Sequence, residues 1–321
     1  MTHQRETVRP ARVFDLAIAY TWEYDREFVQ WIEDAAHGAG LETYLVSYHN
    51  VDETLQELRS RRLTFRYVLD RASDESELFL PFAQYLSRLS QREDLPIRTH
   101  AINPSLLLHR AADKATMHLE FLSHGINVPY TIIISPFNLR REPELSLSEL
   151  AQLGRPFIIK PANTTGGGIG VVMGAESLKD VLEARQRHRN DKYLLQETIH
   201  PAEIYGRRTW FRTFYAFGKL FATWWDDRTH LYREILPEEA AVLHLDQLKS
   251  MTLEIQAVCK LDFFSSEIAL TPEARFVVVD YVNEMVDMRP QSRHPDGVPD
   301  VVVRGIINAL VSQLRLGADG S

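Results

Sequence analysis

The stretch Ile158-Ile159-Lys160-Pro161-Ala162-Asn163-Thr164-Thr165-Gly166-Gly167-Gly168-Ile169-Gly170-Val171 decides how this chain is read. A short apolar run ends in a lysine, a polar glycine-rich turn follows, and the apolar run Val171-Val172-Met173 resumes, which reads as strand, loop, strand. Gly166, Gly167, Gly168 and Gly170 have no side chain to obstruct a ligand and tolerate positive φ. Their N–H groups, with the Thr164 and Thr165 hydroxyls, can surround phosphate oxygens. Lys160 adds a point charge for the same oxygens. A hairpin with a flexible tip explains these residues about equally well, so the rest of the chain has to decide.

The 321 residues are 45% hydrophobic and 25% charged, an ordinary globular composition long enough for two or three domains. The net charge is −8 and no basic patch stands out, which argues against extended nucleic-acid binding. Cys259 is the only cysteine, so an intramolecular disulfide and a cysteine-rich zinc site are both excluded. The first ten residues are polar and charged, and no run of 18 apolar residues occurs. A cytoplasmic protein with no membrane partner is therefore expected.

Working outward, Val13 to Tyr20, Leu41 to Tyr48, Phe65 to Asp70 and Ile97 to Ala101 read as strands. Helices are expected between them: one capped by Asp25 with Phe28, Trp31, Ile32 and Ala35 inward, then Val51 to Arg61, then Glu75 to Leu89. That alternation implies a parallel sheet with helices on its faces. The glycine fingerprint of a dinucleotide site is missing after the first strand. Beyond Asn103-Pro104 a helix is expected from Leu106 to His124, with Gly125 as its C-cap. A strand follows at Ile132 to Ile134, and Ser146 with Glu149 has capping-box spacing for a helix to Leu153. Phe157 to Lys160 enters the glycine loop, a helix spans Ser177 to His188, and Lys192 to Glu197 is a strand. Two hairpins are expected, Trp210 to Trp225 about Gly218 and Phe263 to Val282 about Pro272-Glu273. The helix Asp246 to Lys260 lies between them. A helix from Val301 to Leu314 closes the chain, and Gly317 to Ser321 is expected to be disordered.

The lysine precedes the glycines, so the loop is not a P-loop. Near the end of the chain, Asp280 follows the apolar run Phe276-Val277-Val278-Val279, where an unpaired carboxylate is costly. Glu267 lies on the expected partner strand, and a cation shared by the two would compensate both. Asp113-Lys114, Gly125-Ile126-Asn127-Val128-Pro129, Phe157 to Pro161 with the glycine loop, Leu194-Leu195-Gln196-Glu197, then Glu267, Asp280 and Asn283 occur in that order.

In this order and spacing, from about Leu106 onward, the chain resembles the ATP-grasp superfamily, of the glutathione synthetase type. The resemblance implies an α/β (α+β) fold in which a small N-terminal parallel domain, residues 1–104, precedes two lobes gripping ATP. The first lobe would be residues 105–195 with a glycine-rich lid, and the second residues 196–321 with a metal site. It implies that Lys114 and Lys160 contact ATP, and that Thr164, Thr165, Gly166, Gly167 and Gly168 fold over its phosphates. Gln196, Glu197 and the backbone through Ile199 would read adenine, with Glu203 on the ribose. Glu267, Asp280 and Asn283 would hold Mg2+ or Mn2+. Arg212 would join Lys160 in stabilising the transferred phosphoryl group, and Arg289 and Arg293 would seat a substrate carboxylate or phosphate.

The chain departs from the family at two points. Two residues separate Asp280 from Asn283 where the pattern has one, so either a bulge re-aims Asn283 or Glu284 takes part. Met285 to Gln291 replaces the small turn that often follows the Asn and would line the substrate pocket. The activity implied is ATP-dependent joining of a carboxylate to an amine, thiol or other nucleophile through an acyl phosphate, with release of ADP and phosphate. The expected partner is a small or peptide-like substrate carrying a carboxylate, and a homodimer is compatible with the sequence. A small-molecule kinase on the same fold and a nucleotide-binding regulator without turnover are the alternatives.

Overall fold

The computed structural model describes residues 12–163 and 168–319. Its first layer is the expected parallel sheet. The strands β1 (Arg12–Tyr20), β2 (Thr43–Val46), β3 (Leu63–Arg71) and β4 (His100–Ile102) pair in the order β2-β1-β3-β4. Helices α1 (Arg26–Gly38), α2 (Val51–Arg59) and α3 (Leu80–Ser90) make the crossovers. Helix α1 buries Phe28, Val29, Ile32 and Ala36, the stripe that 3.6-residue periodicity puts on one face.

Three readings of this region are corrected. Asp25 makes no side-chain cap; its carboxylate is buried against the Arg71 guanidinium instead, at 2.6 and 2.8 Å. The helix expected from Glu75 begins at Leu80, after a short 3-10 turn over Glu77–Phe79. The helix expected from Leu106 to His124 is two helices, α4 (Ser105–Ala112) and α5 (Lys114–Ser123). Asp113 breaks them apart with ψ 95°, and its carboxylate accepts from the N–H groups of Ala115 and Thr116 as an N-cap.

The second layer is antiparallel: β5 (Thr131–Ile134), β6 (Phe157–Pro161), β7 (Val172–Ala175) and β8 (Tyr193–Glu197), in the order β5-β8-β6-β7. Helices α6 (Leu147–Leu153) and α7 (Leu178–Ala184) flank it, each started by a capping box, at Ser146 and Ser177. A two-stranded ribbon, β9 (Glu203–Ile204) with β10 (Arg207–Arg208), leads into the third sheet. That sheet is antiparallel, in the order β13-β12-β11-β14-β15, from β11 (Trp210–Ala216), β12 (Lys219–Trp225), β13 (Tyr232–Glu234), β14 (Phe263–Leu270) and β15 (Phe276–Asn283). Helix α8 (Leu245–Cys259) covers the face carrying Phe211, Phe264, Ile268, Phe276 and Val278.

Helix α9 (Asp300–Asp319) packs on α1 and on both the first and third sheets, so one apolar core joins the N-terminal layer to the C-terminal one. A Cβ at Gly305 would lie 2.4 Å from the Phe221 ring, so the contact of α9 with β12 needs glycine there. The helix runs to Asp319, which corrects the expectation of disorder for Gly317 to Asp319. No helix among the described residues is long and apolar enough to cross a membrane.

Candidate active site

The site begins with how β15 is irregular. Val277 pairs with Ala269, Asp280 with Glu267 and Asn283 with Ser265, so β15 advances three residues twice while β14 advances two. Each extra residue is a bulge that keeps the next side chain on the same face. Val277, Asp280 and Asn283 thereby share one face, while Tyr281 and Val282 are both buried in the core beneath α8. The bulge between Asp280 and Asn283 absorbs the two-residue spacing noted in the sequence. Glu284 instead lines a small cavity with Asp70, Arg71 and Asn103 at the C-terminal end of the parallel sheet, and burial raises its carboxyl above the usual range. Arg212 on β11 pairs in register with Glu267, so Arg212, Glu267 and Asp280 stand in a row across three strands.

Three cations meet this row. Lys114, first residue of α5, donates from Nζ to Asp280 Oδ1 at 2.7 Å, and its N–H donates to Ala162 O at 3.0 Å. Lys160 crosses from the second sheet and donates from Nζ to Val279 O at 3.2 Å. Arg212 pairs with Glu267 through Nη1 and donates from Nε to Ser265 Oγ at 3.2 Å, while Trp210 Nε1 donates to the second Glu267 oxygen at 3.2 Å. Burial pushes the Lys160 ammonium below the usual lysine range, with Asp280 opposing. Burial alone would raise the Asp280 carboxyl, but Lys114 and Lys160 outweigh it and hold it well below the carboxylate range. Burial also works against the Arg212 charge, and Tyr232, Glu267, Asp280 and Asp287 more than offset it.

Three cations against two carboxylates leave the row with a positive excess, suited to a polyanion. Asn283 adds a buried amide nitrogen with no partner. Turning the amide half a revolution puts its oxygen at the same spot. Two carboxylate oxygens and an amide oxygen are a donor set that Mg2+ accepts. Among the described residues no three His, Cys, Asp or Glu side chains group together for a metal, so any such ion would rely on this mixed set.

At the end of β8, Gln196 is fully buried, and its Nε2 donates to Tyr281 Oη at 3.1 Å and reaches Thr131 Oγ1 at 3.5 Å. The Thr131 hydroxyl proton is spent on Pro129 O at 2.9 Å, which fixes Thr131 as the acceptor and Gln196 as the donor. Gln196 Oε1 is then a buried acceptor without a partner. Glu197 turns its side chain away to accept from Tyr130 N at 2.7 Å, and its own N–H donates to Tyr130 O at 2.9 Å, so neither group is free to read a ligand. Ile199 packs on a small apolar patch of Trp210, Ala269, Val277 and Val279 beside the charged row. Glu203 is exposed on β9.

Thr164, Thr165, Gly166 and Gly167 lie outside the described residues; Gly168 is exposed, with φ +79°. The stems are anchored: Asn163 donates from N and Nδ2 to the Asp191 carboxylate, both at 2.9 Å. Gly170 has φ +78° where a Cβ would stand 3.1 Å from His188 and from Pro161. Arg289 is not a free receptor, because Asp287 and Asp296 both hold its guanidinium, at 2.7 and 2.9 Å, and keep it firmly charged. Arg293 is exposed.

Sequence reading missed Trp210, Ser265, Tyr281 and His118. Tyr281 Oη shares a 2.8 Å hydrogen bond with His118 Nδ1, which ties α5 to β15 behind Asp280. Adjacency to Asp280 was the one available signal for Tyr281; the others depend on register.

No sequence model of a known family matches this chain, and no curated protein matches it by sequence. Solved structures do match it in fold. D-alanine–D-alanine ligase from Bacillus anthracis, complexed with ATP, is 12% identical over 95% of this chain and 99% of that chain, with a TM-score of 0.62. The ATP-grasp ligase PsnB, complexed with minimal precursor, Mg and ADP, is 15% identical over 94% and 98%, with a TM-score of 0.61. A RimK domain protein ATP-grasp from Sphaerobacter thermophilus is 18% identical over 92% and 98%, with a TM-score of 0.57. With its parallel sheet, two antiparallel sheets and the charged row between them, the chain has the ATP-grasp fold.

Proposed function

We propose that this chain is an ATP-dependent ligase that joins a carboxylate to an amine or another nucleophile through an acyl phosphate, releasing ADP and phosphate. The observation that carries the reading is the row Arg212, Glu267 and Asp280 met by Lys114 and Lys160. The names of the neighbours, a ligase complexed with ATP and another with Mg and ADP, support it.

In this reading the N-terminal layer (residues 1–104) carries part of the substrate site, and lobes 105–195 and 196–321 grip the nucleotide. The adenine lies on Ile199 and the Trp210, Ala269, Val277 and Val279 patch. Gln196 Oε1 is the acceptor for its exocyclic amine, which favours adenine over guanine. Glu203 meets the ribose. Lys114, Lys160 and the glycine loop, including Thr164 and Thr165, bind the phosphates. Glu267, Asp280 and Asn283 hold Mg2+ or Mn2+, which would neutralise phosphate charge when bound. Arg212, clamped by Glu267 and Ser265, points a fixed charge at the phosphoryl group as it transfers. A carboxylate needs no base to attack, whereas an alcohol does, and the Asp287 carboxylate that could serve as one is already committed to Arg289. That commitment favours a ligase over a kinase. The substrate is a small or peptide-like carboxylate, and the setting is the cytoplasm.

The test is incubation with MgATP, candidate carboxylates and hydroxylamine. A hydroxamate formed together with ADP and phosphate is expected. A stable phosphorylated hydroxyl product without hydroxamate would establish the kinase instead, and no ADP at all would leave a nucleotide-binding regulator.

A further inference from the structure

A cavity of about 310 Å³ opens at the N-terminal ends of β3 and β4, the end of the parallel sheet opposite the charged row. Its floor is apolar, formed by Leu58, Leu63, Leu89 and Ile97, and Tyr85 lines one wall. Three arginines, Arg59, Arg61 and Arg92, stand around it, against one carboxylate, Asp94. Asp94 accepts from Arg92 through Nε, at 2.9 Å, and through Nη2, so Arg92 is held by its own carboxylate and the free charge at the cavity is that of Arg59 and Arg61. Among the described residues, neither Arg59 nor Arg61 lies within ion-pair distance of a carboxylate, although Arg61 is near enough to Asp94 to help hold its carboxyl down. In a chain of net charge −8 this is a local cationic excess over an apolar floor.

Arg61 is placed at the cavity by the way α2 ends. Helix α2 ends in a Schellman motif, in which Arg62 N donates to Glu57 O at 3.0 Å and Arg61 N donates to Leu58 O at 3.1 Å. The residue at C′ must take a left-handed conformation, and glycine is usual there. The chain instead has Arg61, at φ 59°, with its side chain at the cavity.

We propose that this cavity binds a small organic anion, with an apolar body on the Leu58, Leu63, Leu89 and Ile97 floor and a carboxylate or phosphate head between Arg59 and Arg61. The volume suits a compact small molecule, and convergent guanidiniums over an apolar floor are the usual chemistry of such a site. The site is separate from the nucleotide cleft and does not depend on the ligase reading.

The experiment is calorimetric titration of the full chain with four probes of similar shape: naphthoate, naphthyl phosphate, uncharged naphthamide and naphthylmethylammonium. One anion at least should bind one-to-one, ahead of the amide, with the ammonium weakest; whichever anion binds tighter identifies the head. Arg61→Gly should weaken the anion about tenfold, the scale of a lost charge-assisted contact. Its melting temperature should not fall, because glycine relieves the positive φ. Arg59→Gln should act in the same direction, and the non-hydrolysable nucleotide AMP-PNP with Mg2+ should not displace the anion. Failure of both anions to bind at millimolar concentration overturns the proposal. So does equal binding of the ammonium, displacement by AMP-PNP, or unchanged anion affinity in both folded variants.

Discussion

Lys114 Nζ lies 2.7 Å from Asp280 Oδ1, so the first residue of α5 neutralises a carboxylate carried on the bulged strand β15. Each acid of the row has its own cation, Glu267 with Arg212 and Asp280 with Lys114. Repulsion between the two acids is therefore not what limits the fold. Removing either acid leaves a largely buried cation without its partner.

Asp280→Asn should abolish turnover and also destabilise the fold by about 1–3 kcal/mol at neutral pH, the cost of an unpaired buried group. The folded carboxyl is depressed, so its contribution is complete above the unfolded value of about 4 and fades as pH falls toward the folded value. Denaturant titrations of both proteins should show a gap that is constant at neutral pH and narrows below about pH 4. A gap that widens in acid would contradict the pairing.

His118 is buried and neutral, pushed down to about 4 from 6.5 by burial. Between these values the unfolded chain takes up a proton that the folded chain refuses, so stability falls as pH is lowered across this window. The loss should approach about 3 kcal/mol. His118→Gln, which can still bond Tyr281 Oη, should remove most of that slope while retaining stability at pH 7. Parallel denaturant curves for the two proteins from pH 7 to pH 4 would refute it.

Lys160→Met should weaken nucleotide binding by about 1.5–3 kcal/mol, the range of a charged hydrogen bond. Stability should change by no more than about 1 kcal/mol, because relief of a buried charge is offset by lost attraction to Asp280. Calorimetry with AMP-PNP and a melting curve separate the two effects.

Arg212→Lys keeps the charge but loses the fork held by Glu267 and Ser265. It should lower kcat by about a hundredfold while leaving KM for ATP within about threefold, as for a group that acts on the transition state. Equal losses in nucleotide affinity and turnover would make Arg212 a ground-state binder.

Much of this was readable in the residues. Asp280 closing an apolar run, Lys160 before the glycines and the β-α alternation each follow from period and polarity alone. The break at Asp113 was not, because the apolar periodicity runs on through both helices. Only the ψ angle and two accepted hydrogen bonds make Asp113 a cap. The neutralisation of Arg289 was also hidden: Asp287 is near in sequence, but Asp296 arrives through a loop whose path no periodicity announces. Trp210 and Ser265 meet Glu267 and Arg212 only because three strands align, which is a property of register rather than of any one strand.

Arg71, at the end of β3, is buried with Asp25 and also donates to Val286 O at 2.9 Å. The consequence is for modularity. A chimaera that replaces the first hundred or so residues with another parallel sheet would have to bring its own arginine to that carbonyl, and its own acid to that arginine. Without them the graft would bury an unmet carbonyl at the junction, just where the chain turns from β15 toward α9. The N-terminal layer is in that sense keyed to its own C-terminal half and is not an interchangeable part.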